Sequence, residues 1–154
     1  MGDRRGYLLQ ALGLLPQEDL ALIRCSAIYE TEPWGFAEQP RFLNLVCEIE
    51  TSLPSEGVLA AAKQVEQVVG RTPHPQRYGP REIDIDLLLY GETVVSGDDL
   101  EVPHPRLAER AFVLVPLLEL APQLRHPVLG LTMEALLARL TDRGGVRWWG
   151  PSPL

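Results

Sequence analysis

The sequence predicts an α+β fold in a single domain spanning residues 1–154, and three observations carry that reading. Apolar residues recur with helical spacing near the start, where Leu8, Ala11, Leu12 and Leu15 share one face. From Phe42 to Thr51 the pattern alternates, with Leu43, Leu45, Cys47 and Ile49 on one side and Asn44, Glu48 and Glu50 on the other. The segments then follow in the order helix, strand, strand, helix, strand, which fits helices packed on one face of a sheet.

Each element has its own local signal. Asp3 caps a first helix that runs to about Leu15, where Pro16 stops it. Leu20 to Thr31 reads as one strand, and the Pro- and Gly-containing segment from Glu32 to Arg41 reads as a loop. Phe42 to Thr51 is a half-buried strand. Pro54 suits the first turn of a helix reaching Val69, and Gly70 suits its stop. Further helices are expected from about Ala111 to Ala121 and, after a Thr132 cap, from Met133 to Leu140. Trp148 and Trp149 read as packing anchors.

The richest stretch lies between these helices, from Arg77 to Gly91. Glu82 to Tyr90 reads as a strand, so Glu82, Asp84 and Asp86 share one face while Ile83, Ile85 and Leu87 share the other. Asp84 and Asp86 then stand about 6.6 Å apart along the backbone. At an effective dielectric near 20 their repulsion is on the order of 2 kcal/mol, which a bound cation would relieve. Magnesium fits such a pair, because it takes one or two carboxylates together with substrate phosphates. Arg77 and Arg81 lie just before the strand, where a phosphate chain needs positive charge. A self-neutralising acidic face is an equal reading of so short a motif.

The formal net charge of −7 argues against a nucleic-acid surface, yet Arg71, Arg77, Arg81, Arg106 and Arg110 concentrate in one part of the chain. They mark a local anion site or an ordinary solvated surface. Cys25 and Cys47 have no second Cys or His at metal-ligand spacing, so both read as buried free thiols of a reducing compartment. No apolar run is long enough for a membrane span, and the expected location is cytoplasmic. Smaller features carry chemistry if they converge. The Asn44 amide offers a donor and an acceptor to a heterocycle edge, though a local cap is the commoner use. Phe42 and Phe112 could stack on a planar ring or fill the core. Glu66 sits where the helix dipole disfavours it, so a cationic or hydroxyl partner is expected, against a plain surface role. His104, between two prolines, could donate to a phosphate oxygen.

Together these residues resemble a known family, the 6-hydroxymethyl-7,8-dihydropterin pyrophosphokinases. The resemblance covers Gly2 to about Leu140 and rests on Tyr29-Glu30-Thr31-Glu32-Pro33-Trp34-Gly35, Phe42-Leu43-Asn44, Gly70-Arg71, the Arg77–Gly91 stretch, Val102-Pro103-His104-Pro105 and Glu109-Arg110-Ala111-Phe112. It implies a ferredoxin-like antiparallel sheet with helices packed on it, and transfer of pyrophosphate from ATP to the pterin alcohol. It further implies two Mg²⁺ ions on Asp84 and Asp86, and a pterin site shaped by Thr31, Pro33, Phe42, Asn44, Tyr78 and Phe112. Around ATP it places Lys63, Glu66, Arg71, Arg77, Arg81, Leu87, His104 and Arg110. The implied partners are small molecules, with no nucleic acid and no membrane, and the implied state is a monomer.

Two departures from the family pattern stand out. Relatives normally carry an apolar strand ending in Gly-Ser-Asn-Leu before the Gly-Asp-Arg that is here Gly2-Asp3-Arg4, so the family's first strand is expected to be missing. Pro73 also stands where many relatives carry an arginine. The alternative to an active enzyme is therefore a truncated, non-catalytic pterin- or nucleotide-binding or interaction module.

Overall fold

The computed structural model describes residues 4–31, 42–70, 83–141 and 145–154. The elements run α1 (Arg4–Leu14), β1 (Leu20–Cys25), β2 (Ile28–Thr31), β3 (Phe42–Asn44), β4 (Cys47–Thr51), α2 (Ser55–Gly70), β5 (Val95–Ser96), β6 (Glu101–Val102), a 3₁₀ turn at Leu107–Glu109, α3 (Ala111–Leu120), α4 (Met133–Ala138) and β7 (Arg147–Gly150). Antiparallel strands and separate helices make this an α+β fold, as the residue pattern requires. Among the described residues the strands form three small sheets: β1 with β4, β3-β2-β7, and β5 with β6. By proximity of the backbone the chain falls into two compact units, residues 1–23 with 49–87, and residues 24–48 with 88–154.

In the first unit two amphipathic helices form the core. Ala11 of α1 meets Val65 and Val69 of α2, with Tyr7, Leu15, Ile83 and Ile85 closing the cluster. Val58, Ala61, Ala62, Val65 and Val69 are the buried stripe of α2, three and four residues apart. Pro54 lies just outside α2 and accepts the amides of Gly57 and Val58, and Gly70 is the last helical residue rather than the stop beyond it. The Asp3 cap falls outside the described residues.

In the second unit, α3 and α4 bury Leu107, Leu114, Met133 and Leu136 together with Val46. Thr132 caps α4 as the sequence implies, its hydroxyl accepting from the Ala135 amide at 3.1 Å. A tight hairpin precedes it, in which Gly130 takes φ of 71°, a conformation that glycine adopts without steric cost. Inside it His126 is buried, and its Nδ1 accepts from the amides of Val128 at 3.2 Å and Leu129 at 3.1 Å. Burial pushes this imidazole below the usual histidine value of 6.5. The unfolded chain therefore takes up a proton near pH 6.5 that the native ring refuses, so the contribution of His126 to stability is complete above that pH and is lost as pH falls. We expect the urea midpoint to drop between pH 7.5 and pH 5.5, and His126→Asn to flatten that dependence.

Four expectations need correction. The strand from Leu20 to Thr31 is two strands, and so is that from Phe42 to Thr51, with the breaks facing each other at Ser26-Ala27 and Leu45-Val46. Ser26 causes this locally: its amide donates to the Val46 carbonyl at 2.8 Å while its hydroxyl accepts from the Val46 amide at 3.0 Å. A side chain thus replaces a ladder partner. The Ala27 amide leaves the ladder for the Glu119 carboxylate, 3.1 Å from each oxygen. The alternation breaks with it, since Val46 turns into the core while Leu45 is half-buried.

The strand expected over Glu82–Tyr90 is not one among the described residues. Among the described residues, 83–90 belong to no strand: the Ile85 amide goes to a side chain, and the Leu88 carbonyl accepts from the His104 amide at 2.8 Å. Finally, Trp148 and Trp149 are not packing anchors. They lie on β7, at the edge of its sheet, and are 62% and 39% exposed.

Candidate active site

Although 83–90 lacks a ladder, its period of two survives. Asp84 and Asp86 are exposed, while Ile83 and Ile85 turn in to Val65 and Val69. The two carboxylates therefore stand on the water side, held there by the apolar residues between them. Glu66 of α2 fixes the segment, because its Oε2 accepts the Ile85 amide at 2.6 Å, between the two aspartates. Among the described residues the partner of Glu66 is this backbone donor, and a charged acceptor makes that hydrogen bond a strong one. In the same unit Lys63 is exposed on α2 and Leu87 is half-buried.

A second group assembles in the other unit. Thr31 is buried on β2 and donates from its hydroxyl to Asn44 Oδ1 at 3.3 Å. Asn44 on β3 faces Tyr29 and lies diagonally from Thr31, which faces Phe42, and Asn44 Nδ2 donates to the Phe112 carbonyl at 2.7 Å. Pro116 explains why that carbonyl is open to capture. In a regular helix Phe112 would accept from the amide four residues on, and a proline inside α3 has none to give. The Asn44 amide is thereby oriented at both ends, and bonds among the described residues leave it one N–H and one oxygen lone pair.

Phe42 and Phe112 meet edge to face, centroids 5.5 Å apart and planes at 87°. A flat ring bound between them requires the two to part, since two stacking distances of about 3.5 Å put such rings roughly 7 Å from each other. Arg110 precedes α3 in an extended conformation, and its guanidinium lies 5.4 Å from the Phe112 centroid. His104 accepts the Arg106 amide at Nδ1, 3.2 Å away, which leaves Nε2 as the donor nitrogen. Arg71, Arg77, Tyr78, Arg81 and Pro33 lie outside the described residues.

Two features escaped the sequence reading. Glu119, a lone acid at the end of the otherwise apolar α3, receives the Ala27 amide and the Tyr29 hydroxyl, the latter at 2.8 Å. It ties α3 to the start of β2, which carries Thr31. Burial first, and the Glu119 carboxylate second, push the Tyr29 hydroxyl up to about 12. The second is the meeting of Cys25 and Cys47, whose sulfurs lie 2.7 Å apart. Both thiols are free, as expected, but they are not isolated, and Cys47 is only half-buried. Aligning the two strand pairs as a hairpin would have exposed this.

Among the described residues no three His, Cys, Asp or Glu side chains gather as a metal site, and no helix is long and apolar enough to cross a membrane. The paired aspartates fit a hard cation that completes its shell with substrate oxygens, which is how magnesium is commonly held.

The family model for 7,8-dihydro-6-hydroxymethylpterin-pyrophosphokinase matches residues 1–122 of the chain. A 2-amino-4-hydroxy-6-hydroxymethyldihydropteridine pyrophosphokinase of Bacillus subtilis is 43% identical over 150 residues, covering 97% of this chain and 84% of that protein. The protein of the same name from Aquifex aeolicus is 44% identical over 128 residues, 83% of this chain and 79% of its own. The folic acid synthesis protein fol1 of Pneumocystis carinii is 36% identical over 142 residues, and the chain spans 19% of its length.

Proposed function

Because this chain belongs to the 7,8-dihydro-6-hydroxymethylpterin-pyrophosphokinase family, we propose a division of its reaction among the residues described above. The reaction is transfer of pyrophosphate from ATP to 6-hydroxymethyl-7,8-dihydropterin, giving the pterin diphosphate and AMP in folate biosynthesis. The hydroxymethyl oxygen adds to the β-phosphorus, and AMP departs.

Asp84 and Asp86 hold the divalent cations. When bound, these neutralise charge on the phosphate chain and on the leaving oxygen. Glu66 sets the aim of both carboxylates through the Ile85 amide. Arg71, Arg77, Arg81 and Arg110, with His104 Nε2 and Lys63, supply positive charge and donors to the phosphates, and Leu87 borders the nucleotide. Asn44 reads the pterin edge with its remaining donor and acceptor, Phe42 and Phe112 part to stack on the ring, and Thr31, Pro33 and Tyr78 contribute to pterin binding. Little covalent help is needed from the protein, since positioning and charge stabilisation dominate phosphoryl-type transfer. The working unit is a cytoplasmic monomer, one domain over residues 1–154, using two Mg²⁺ ions.

The observation that carries this reading is the pair of exposed aspartates anchored at the amide between them. Glu66 gives a graded test. Glu66→Gln keeps an oxygen for the Ile85 amide, and turnover should fall by less than tenfold; Glu66→Ala removes it, and turnover should fall by roughly ten- to a hundredfold, the range of second-sphere losses at metal sites. Equal activity in both variants and the parent, followed as AMP release, would remove Glu66 from the scheme.

A further inference from the structure

Cys25 ends β1 and Cys47 begins β4, the strand it pairs with. The Ser26 amide bonds to the Val46 carbonyl on one side, and Arg24 Nε reaches Glu48 Oε1 at 2.6 Å on the other, so Cys25 lies opposite Cys47. Facing residues of antiparallel strands have Cα atoms about 4.5–5.5 Å apart, within the span that a disulfide bridges. Their sulfurs are in contact, as noted. Among the described residues no third His, Cys, Asp or Glu joins them, so the pair lacks the ligand set of a zinc site. The proposed transfer reaction makes no use of either sulfur.

The hydrogen bond between the two sulfurs pushes the Cys25 thiol down, favouring thiolate there, and pushes the Cys47 thiol up. Cys25 is buried and Cys47 half-buried, so the reagent that reaches them is a small one.

We propose that Cys25 and Cys47 are a site of reversible oxidation by small peroxides, closing into a cross-strand disulfide that clamps β1 to β4. The Cys25 thiolate attacks one peroxide oxygen, the O–O bond breaks, and the departing oxygen leaves as water after taking up a proton. The Cys47 sulfur then displaces the hydroxyl from the Cys25 sulfenic acid, the S–O bond breaks, and a second water forms with the Cys47 proton. Two thiols and one hydrogen peroxide become one disulfide and two waters, the sulfurs being oxidised and the peroxide reduced.

The test is to treat the reduced full chain with hydrogen peroxide, quench, unfold and alkylate it, then weigh it intact and as non-reduced peptides. The expected result is loss of both free thiols, a mass lower by two hydrogens, one intrachain peptide pair holding Cys25 and Cys47, and reversal by dithiothreitol. The melting midpoint of the oxidised form should rise by roughly 5 °C. Cys47→Ser should instead accumulate oxygen on Cys25. Two alkylated thiols after treatment, oxygen uptake without a disulfide, a disulfide only between chains, or a lowered midpoint would each overturn the proposal.

Discussion

Asp84→Asn and Asp86→Asn should each lower turnover about a thousandfold or more, the loss of roughly 4 kcal/mol of transition-state stabilisation. An amide keeps the shape of the side chain but gives up the charge that a hard cation requires. Both positions are exposed, so the fold should hold, with stability changed by no more than about 0.5 kcal/mol. Relief of like-charge repulsion could even raise it slightly. The check is steady-state AMP release alongside urea unfolding. Near-normal turnover in either variant would reject its role as a ligand, and unfolding of either would show that the carboxylates serve the structure instead.

Asn44→Leu should raise the KM for the pterin roughly a hundredfold or more, with a smaller effect on the KM for ATP. A site built around a hydrogen-bonding edge discriminates steeply once its partner group is lost. The change has a structural side as well. Pro116 leaves the Phe112 carbonyl dependent on Asn44 Nδ2, so leucine strands a part-buried acceptor at a cost of about 1–3 kcal/mol. Pro116→Ala separates the two effects. It restores a helical donor to Phe112, steadies α3, and sets up a competitor for the carbonyl that orients Asn44. We expect that variant to be at least as stable as the parent yet weaker for the pterin by several-fold, as read by calorimetric titration in the presence of a non-hydrolysable ATP analogue. An unchanged pterin affinity in both variants would show that Asn44 does not read the ring.

What could be read from residue order alone was what short-range physics decides. The existence of α1 and α2, the Thr132 cap and the outward turn of Asp84 and Asp86 follow from periodicity and local bonding. Both strand breaks depend on distant partners: Ser26 turns to Val46, and Ala27 turns to Glu119, ninety-two positions on. No propensity rule anticipates a carboxylate that arrives from another element. The same limit hid the Cys25–Cys47 meeting and the exchange between Pro116 and Asn44, each of which joins residues far apart in the chain. Glu66, Asn44 and Phe112 stand out in the sequence by residue type and position, but the contacts they make do not. Glu66, for which a cationic or hydroxyl partner or a plain surface role was expected, accepts a backbone amide among the described residues; Phe42 and Phe112, expected to stack on a ring or fill the core, touch each other.

The most direct measurement of the central claim uses Mn²⁺ in place of Mg²⁺, with electron paramagnetic resonance counting the ions bound to the full chain in the presence of the pterin and a non-hydrolysable ATP analogue. The account predicts two bound ions per chain, with Asp84→Asn, Asp86→Asn or both losing at least one of them and losing AMP release in step. Undiminished Mn²⁺ binding in the doubly substituted chain would contradict it.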